Sequence, residues 1–121
     1  MVKFFKNKDT NEVIMVKDNE TLKSNEVELK ANSTDAATEK HVPVININEK
    51  EVEVTVGSTL HPMTEVHHIA FIALITDKRA LLKTLDPLGA PKASFTLQDG
   101  EKVLEAYEYC NLHGLWVKKA E

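Results

Sequence analysis

Short runs of β-branched and aromatic residues, separated by turn-forming residues, dominate the chain. Glu51-Val52-Glu53-Val54-Thr55-Val56 alternates polar and apolar side chains at period two, the pattern of a strand with one buried face. Strands are predicted at Val13–Val16, His41–Ile47, Val52–Val56, His68–Ile75, Lys92–Leu97, Val103–Tyr109 and Leu115–Val117. Turn chemistry punctuates them at Asn48-Glu49-Lys50, Val56-Gly57-Ser58, Asp77-Lys78-Arg79, Asp86-Pro87-Leu88-Gly89 and Asp99-Gly100. This spacing favours an all-β fold, a β-sandwich. Helical pieces reduce to Asp35–Lys40 and to Arg79–Leu85, which reads equally well as a strand. Residues 17–34 are polar and poor in large apolar groups, which predicts a lightly packed N-terminal segment, 1–34, ahead of a main domain, 35–121. The longest wholly apolar run, Ile69–Ile75, reads as a buried strand, since a bilayer-crossing helix needs about 20 residues.

Composition narrows the partners. With 42% apolar residues, 28% charged residues and a formal net charge of -4, the 121-residue chain reads as an ordinary globular protein with one main core. No Lys/Arg cluster offers the basic stripe that phosphates require, so no nucleic-acid partner is expected. The N-terminus begins with charge and lacks the apolar stretch of a secretory signal, so a cytoplasmic location with no membrane association is the expectation.

The single cysteine, Cys110, has no partner for an intramolecular disulfide, so it is an inert buried thiol or a chemical group. Cys110-Asn111-Leu112-His113 is a Cys-x-x-His unit between two predicted strands, where a tight turn can aim thiolate and imidazole at one point. His61 and His67 are an even number of residues apart and can share one side of an extended chain, with His68 on the other; Pro62 between them allows a loop instead. A nucleophilic Cys–His pair is a second reading, but no orienting residue or oxyanion loop is evident beside it. Four imidazoles and one thiolate, counting His41, are five donors, which suit iron with an open position better than tetrahedral zinc. Spacing alone leaves open whether the histidines converge.

Three motifs carry a family resemblance: Ala36-Ala37-Thr38-Glu39-Lys40-His41-Val42-Pro43, then His61-Pro62-Met63 followed by His67, then Glu108-Tyr109-Cys110-Asn111-Leu112-His113-Gly114-Leu115-Trp116. From about Ala31 to the C-terminus the sequence resembles the desulfoferrodoxin and neelaredoxin family of superoxide reductases. The resemblance implies an immunoglobulin-like β-sandwich with a small N-terminal β appendage. It implies one mononuclear non-haem iron per chain, with His41, His61, His67 and His113 as equatorial ligands and Cys110 as the axial one. It further implies one-electron reduction of superoxide to hydrogen peroxide, with an external donor such as a rubredoxin restoring the iron. Glu39 and Lys40 match a mobile loop near the open position. Lys40 is expected to attract the anion, and Glu39 to close onto ferric iron as a sixth ligand. Backbone N–H groups of Leu112 and His113 are expected to temper the sulfur. Homo-oligomers, dimers or tetramers, are usual in the family.

One departure stands out. Two-iron members carry an N-terminal module with four cysteines, and residues 1–40 here contain none. The expectation is a one-iron member with a vestigial, desulforedoxin-like N-terminal segment without metal. The competing readings are a non-catalytic iron-binding electron-transfer module and a β-sandwich interaction domain with incidental histidines.

Overall fold

The computed structural model of the chain describes residues 2–17 and 19–120. It divides into two compact units, residues 1–30 and residues 31–121. In the first, β1 (Val2–Asn7) lies between β2 (Val13–Lys17) and β3 (Glu26–Glu28) in an antiparallel sheet. Phe4 and Phe5 of β1 are its buried side chains. Neither β1 nor β3 was expected from the sequence pattern, and both have a physical reason. Phe4 and Phe5 are adjacent and show no period-two alternation, while β3 is three residues long and is defined by its pairing with β1.

The second unit begins with a helical turn, α1 (Thr38–His41), and continues as seven strands. β4 (Pro43–Asn48), β5 (Glu51–Val56) and β8 (Lys92–Thr96) form one sheet in the order β4-β5-β8. β6 (Ile69–Thr76), β7 (Ala80–Thr84), β9 (Val103–Cys110) and β10 (Gly114–Lys119) form the other, in the order β10-β9-β6-β7. All pairings are antiparallel. Val52, Val54 and Val56 of β5 and Phe95 of β8 join Ile69, Ile72 and Leu74 of β6 and Ala106 and Cys110 of β9 in one buried cluster. Two sheets sharing one apolar filling make a β-sandwich, as the sequence predicts. Burying each aliphatic side chain of this cluster contributes about 1.5–3 kcal/mol.

His41 is not the first residue of a strand, as its place before an apolar run suggested. It closes the turn α1, and Val42 is extended at φ -68° and ψ 124°. The ring of Pro43 disfavours helix at the preceding residue, so the turn stops at His41 and the strand starts at Pro43. The ambiguous segment at 79–85 is a strand whose pattern of exposure shows no continuous buried face.

Two features bracket the long strand β9. At its C-terminal end the register with β6 slips between Ile69 and Phe71, a bulge beside the Ile69–Cys110 pair. Just before its N-terminal end, Glu101 accepts from Arg79 Nε and Nη2 at 2.9 and 2.7 Å, from the Gln98 amide at 2.8 Å and from the Thr76 hydroxyl. The Arg79 bonds, with these further donors, hold the Glu101 carboxyl well below its usual range, at about 2.

Candidate metal centre

Three chain segments meet at the end of the sandwich where β9 finishes. The turn α1 supplies His41, the irregular loop between β5 and β6 supplies His61 and His67, and the β9–β10 turn supplies Cys110 and His113. One potential ligand atom from each of these five residues lies within 4.8 Å of all the others. His68 is outside the group; its Nδ1 donates to the Thr64 carbonyl at 2.9 Å.

The four imidazoles form a closed ring of neighbours. Centroids are 4.8 Å apart for His41 and His61, 4.6 Å for His61 and His67, 5.0 Å for His67 and His113, and 4.9 Å for His113 and His41. Each adjacent pair is close to perpendicular, at 76° to 87°. Cys110 Sγ lies 3.4 Å from His61 Nε2 and 3.8 Å from His113 Nδ1. The sulfur is fully buried, whereas His67 and His113 are only partly so, which gives the group a core side and a surface side.

Local hydrogen bonds decide which nitrogens are available. His41 Nδ1 donates to the Ala37 carbonyl at 2.7 Å and His61 Nδ1 to the Pro62 carbonyl at 2.7 Å. Carbonyls only accept, so both rings carry their proton on Nδ1 and present a free lone pair on Nε2. His41 Nε2 faces His113 Nδ1 at 3.1 Å. His67 Nε2 is buried with no hydrogen-bond partner. Unpaired buried nitrogen is costly, and a cation shared among these lone pairs satisfies it.

Electrostatics agrees. Burial pushes the His41 and His67 imidazoles down, and takes His61 to about 4, with the other histidines of the group adding to the effect. All three are therefore neutral at pH 7, the form that binds metal. Burial raises the Cys110 thiol, while the backbone N–H groups of Leu112 and His113 pull it down. Those two N–H groups are the ones the motif predicts at the sulfur.

The local sequence explains the shape of the site. Gly114 has φ +83°, a left-handed conformation that glycine adopts without penalty, and it lets the chain turn from His113 into β10. Gly57 is a close-approach glycine: a Cβ there would sit 2.6 Å from the Glu39 carbonyl oxygen. That same oxygen accepts from the Thr59 amide at 2.9 Å and from Ser58 Oγ at 3.3 Å. The backbone at Glu39 is thus tied to the loop leading to His61, while the side chains of Glu39 and Lys40 are exposed.

Two further residues act on the cluster and were not singled out from the sequence as site residues. Trp116 stacks on His41 with centroids 5.0 Å apart, and its Nε1 donates to the His113 carbonyl at 3.1 Å. Asn111 bonds to the backbone on both sides of His67. Both lie within the Cys-Asn-Leu-His-Gly-Leu-Trp motif, which was their signal. The donor set of four imidazoles and one sulfur, five donors against the four of structural zinc, fits a single mononuclear non-haem iron.

Comparison with known proteins places the chain among relatives of one family. The desulfoferrodoxin family model matches residues 33–119. A desulfoferrodoxin of Syntrophotalea carbinolica is 49% identical over 88 residues, covering 73% of this chain and 68% of that protein. A superoxide reductase of Pyrococcus abyssi is 38% identical, covering 74% of this chain and 92% of its own length. The crystal structure of the superoxide reductase from Treponema pallidum superposes with a TM-score of 0.88 at 39% identity, over 98% of this chain and 99% of that one. The sandwich, the five converging donors and these matches together establish that the chain belongs to the desulfoferrodoxin family.

Proposed function

We propose that the chain is a superoxide reductase that converts superoxide to hydrogen peroxide at one iron held by His41, His61, His67, His113 and Cys110. The observation that carries this reading is the convergence of the five donor atoms within 4.8 Å, with His67 Nε2 left without a partner. Iron bound there supplies the one-electron reduction of superoxide.

The chain's own residues prepare that chemistry. The Ala37 and Pro62 carbonyls fix the His41 and His61 tautomers. Trp116 packs against the His41 ring and braces the His113 backbone. The Cys110 thiol, raised by burial, gives up its proton when metal loads, and the Leu112 and His113 N–H groups stabilise the resulting negative sulfur. Lys40 is exposed beside His41, and its charge is among the influences felt at both His41 and His67. It serves as the positive group that draws superoxide to the site. Glu39, exposed on the same turn, is the carboxylate that would serve as a further oxygen ligand to the iron once substrate has left.

Residues 1–34 act as a metal-free remnant of a desulforedoxin-like module, a reading supported by the absence of cysteine there. The iron domain then occupies residues 35–121. A one-electron donor such as a rubredoxin regenerates the ferrous state, and the protein works in the cytoplasm as a homo-oligomer, dimer or tetramer. A non-catalytic electron-transfer module gains nothing from the exposed Lys40 beside the site, which favours the enzyme.

Rapid mixing of the ferrous protein with superoxide tests the activity. Prompt oxidation with one hydrogen peroxide formed per iron supports it, and indifference to superoxide refutes it.

A further inference from the structure

Of the four most exposed large apolar side chains among the described residues, three are Val66 at 77%, Leu60 at 62% and Leu112 at 59%. Each immediately precedes a histidine of the cluster: His67, His61 and His113. They belong to one locality. The His61 and His67 rings are 4.6 Å apart, those of His67 and His113 5.0 Å, and Asn111, next to Leu112, donates to the Val66 carbonyl at 3.0 Å. Single exposed aliphatic residues need no explanation, but three around one reactive site do.

Superoxide is a small anion and gains nothing from an aliphatic rim. Reduction of superoxide takes one electron from the site at each turnover. The described residues hold one cysteine and one metal-binding cluster, so the electron must come from outside. Electron transfer falls off steeply with distance, so a carrier must approach where the ligand rings come closest to the surface. Those rings are His67 and His113, which are partly exposed while His41 and His61 are buried.

We propose that Leu60, Val66 and Leu112 form the docking face for the protein that re-reduces the iron, a small one-electron carrier with an apolar face over its own redox centre. This rests on the superoxide reductase reading and adds the partner's place and chemistry. Size argues for such a partner and against a second copy of this chain. Three aliphatic side chains amount to a few hundred Å² at most, on the order of normal surface patches. A stable dimer needs about 800 Å² from each partner, whereas transient redox encounters lie below about 1,200 Å² in total. The charges around the rim are of both signs, with Lys40, Glu39 and Glu65 all exposed, so apolar contact and not a uniform field supplies the attraction.

The test uses the iron-loaded full chain and the double variant Leu60→Ser/Val66→Ser. Reduction of the ferric protein by reduced rubredoxin should slow about tenfold or more, a loss of roughly 1.4 kcal/mol of encounter affinity. Reduction by ascorbate and oxidation by superoxide should be unchanged. An unaltered rate with rubredoxin overturns the proposal, as does an equal loss with ascorbate. Lys118→Glu/Lys119→Glu, on the groove lined by Val44, Ile45 and Ile47, should leave the rubredoxin rate unchanged; a loss there moves the docking face and overturns the proposal. With zinc replacing iron in both proteins, rubredoxin should shift the methyl resonances of Leu60, Val66 and Leu112, and shifts confined to other residues contradict docking at the rim. If the wild-type ferrous protein itself ignores superoxide, the enzyme reading fails instead, and the two failures are distinct.

Discussion

Asn111 reaches from the Cys-x-x-His turn to the loop of His67, donating from Nδ2 to the Val66 carbonyl at 3.0 Å. Its Oδ1 accepts the His68 amide at 2.9 Å, and its own amide donates to the His68 carbonyl at 3.2 Å. The peptide groups on both sides of His67 are therefore fastened to the segment that carries Cys110 and His113. Asn111→Ala removes both side-chain bonds and frees the loop to carry His67 away from the other donors. Because Asn111 is exposed, the sandwich should stay folded. Iron affinity, measured by competition with a chelator, should fall about 10- to 100-fold, the usual effect of losing a group that orients a ligand. An affinity equal to that of the wild type would show that His67 needs no such support.

Lys40 tests the steering role separately from metal binding. The backbone of its turn is fixed by the contacts of the Glu39 carbonyl, so Lys40→Ala changes charge and little else. The second-order rate with superoxide should fall about tenfold at low salt, and its dependence on ionic strength should weaken. Iron content should be unchanged. Stopped-flow rates at several salt concentrations measure this, and an unaltered salt dependence rules steering out.

The pattern of the sequence revealed some parts of this protein and concealed others. Strict alternation exposed β5, because one of its faces fills the core and the other meets water. The Cys110–His113 pairing was legible because a two-strand turn brings residues three apart to one place. Convergence of His61 on Cys110 was not legible from spacing, since it depends on two loops at the same end of the sandwich, 49 residues apart. The loop residue His67 likewise owes its position to Thr64, whose hydroxyl accepts the His67 amide at 3.0 Å, and to Asn111, not to strand geometry. Only the motif resemblance joined these segments in advance. Segment 79–85 stayed ambiguous because an edge strand with mostly exposed side chains shows no period.

Glu108 sets a dependence of stability on pH. It is fully buried on β9, and neither carboxyl oxygen has a hydrogen-bond partner. Burial raises its pKa from 4.5 to about 9. The unfolded chain loses this proton near 4.5 while the folded chain retains it. Stability is therefore full below about 4.5 and declines as pH rises toward 9. At pH 7 the penalty is about 3 kcal/mol in the metal-free protein. Glu108→Gln abolishes the titration and should be stabilising by about that amount at pH 7, with little difference at pH 4.5. Urea unfolding of the two metal-free proteins across this range measures it, and parallel pH profiles would contradict a protonated Glu108.

The most direct test of the metal centre is the visible absorption of the oxidised, iron-loaded protein compared with its Cys110→Ser variant. A sulfur-to-iron charge-transfer band should be present in the wild type with about one iron per chain, and should vanish in the variant. A chain that binds no iron, or a spectrum unaffected by replacing Cys110, would contradict a site built from four imidazoles and this thiolate.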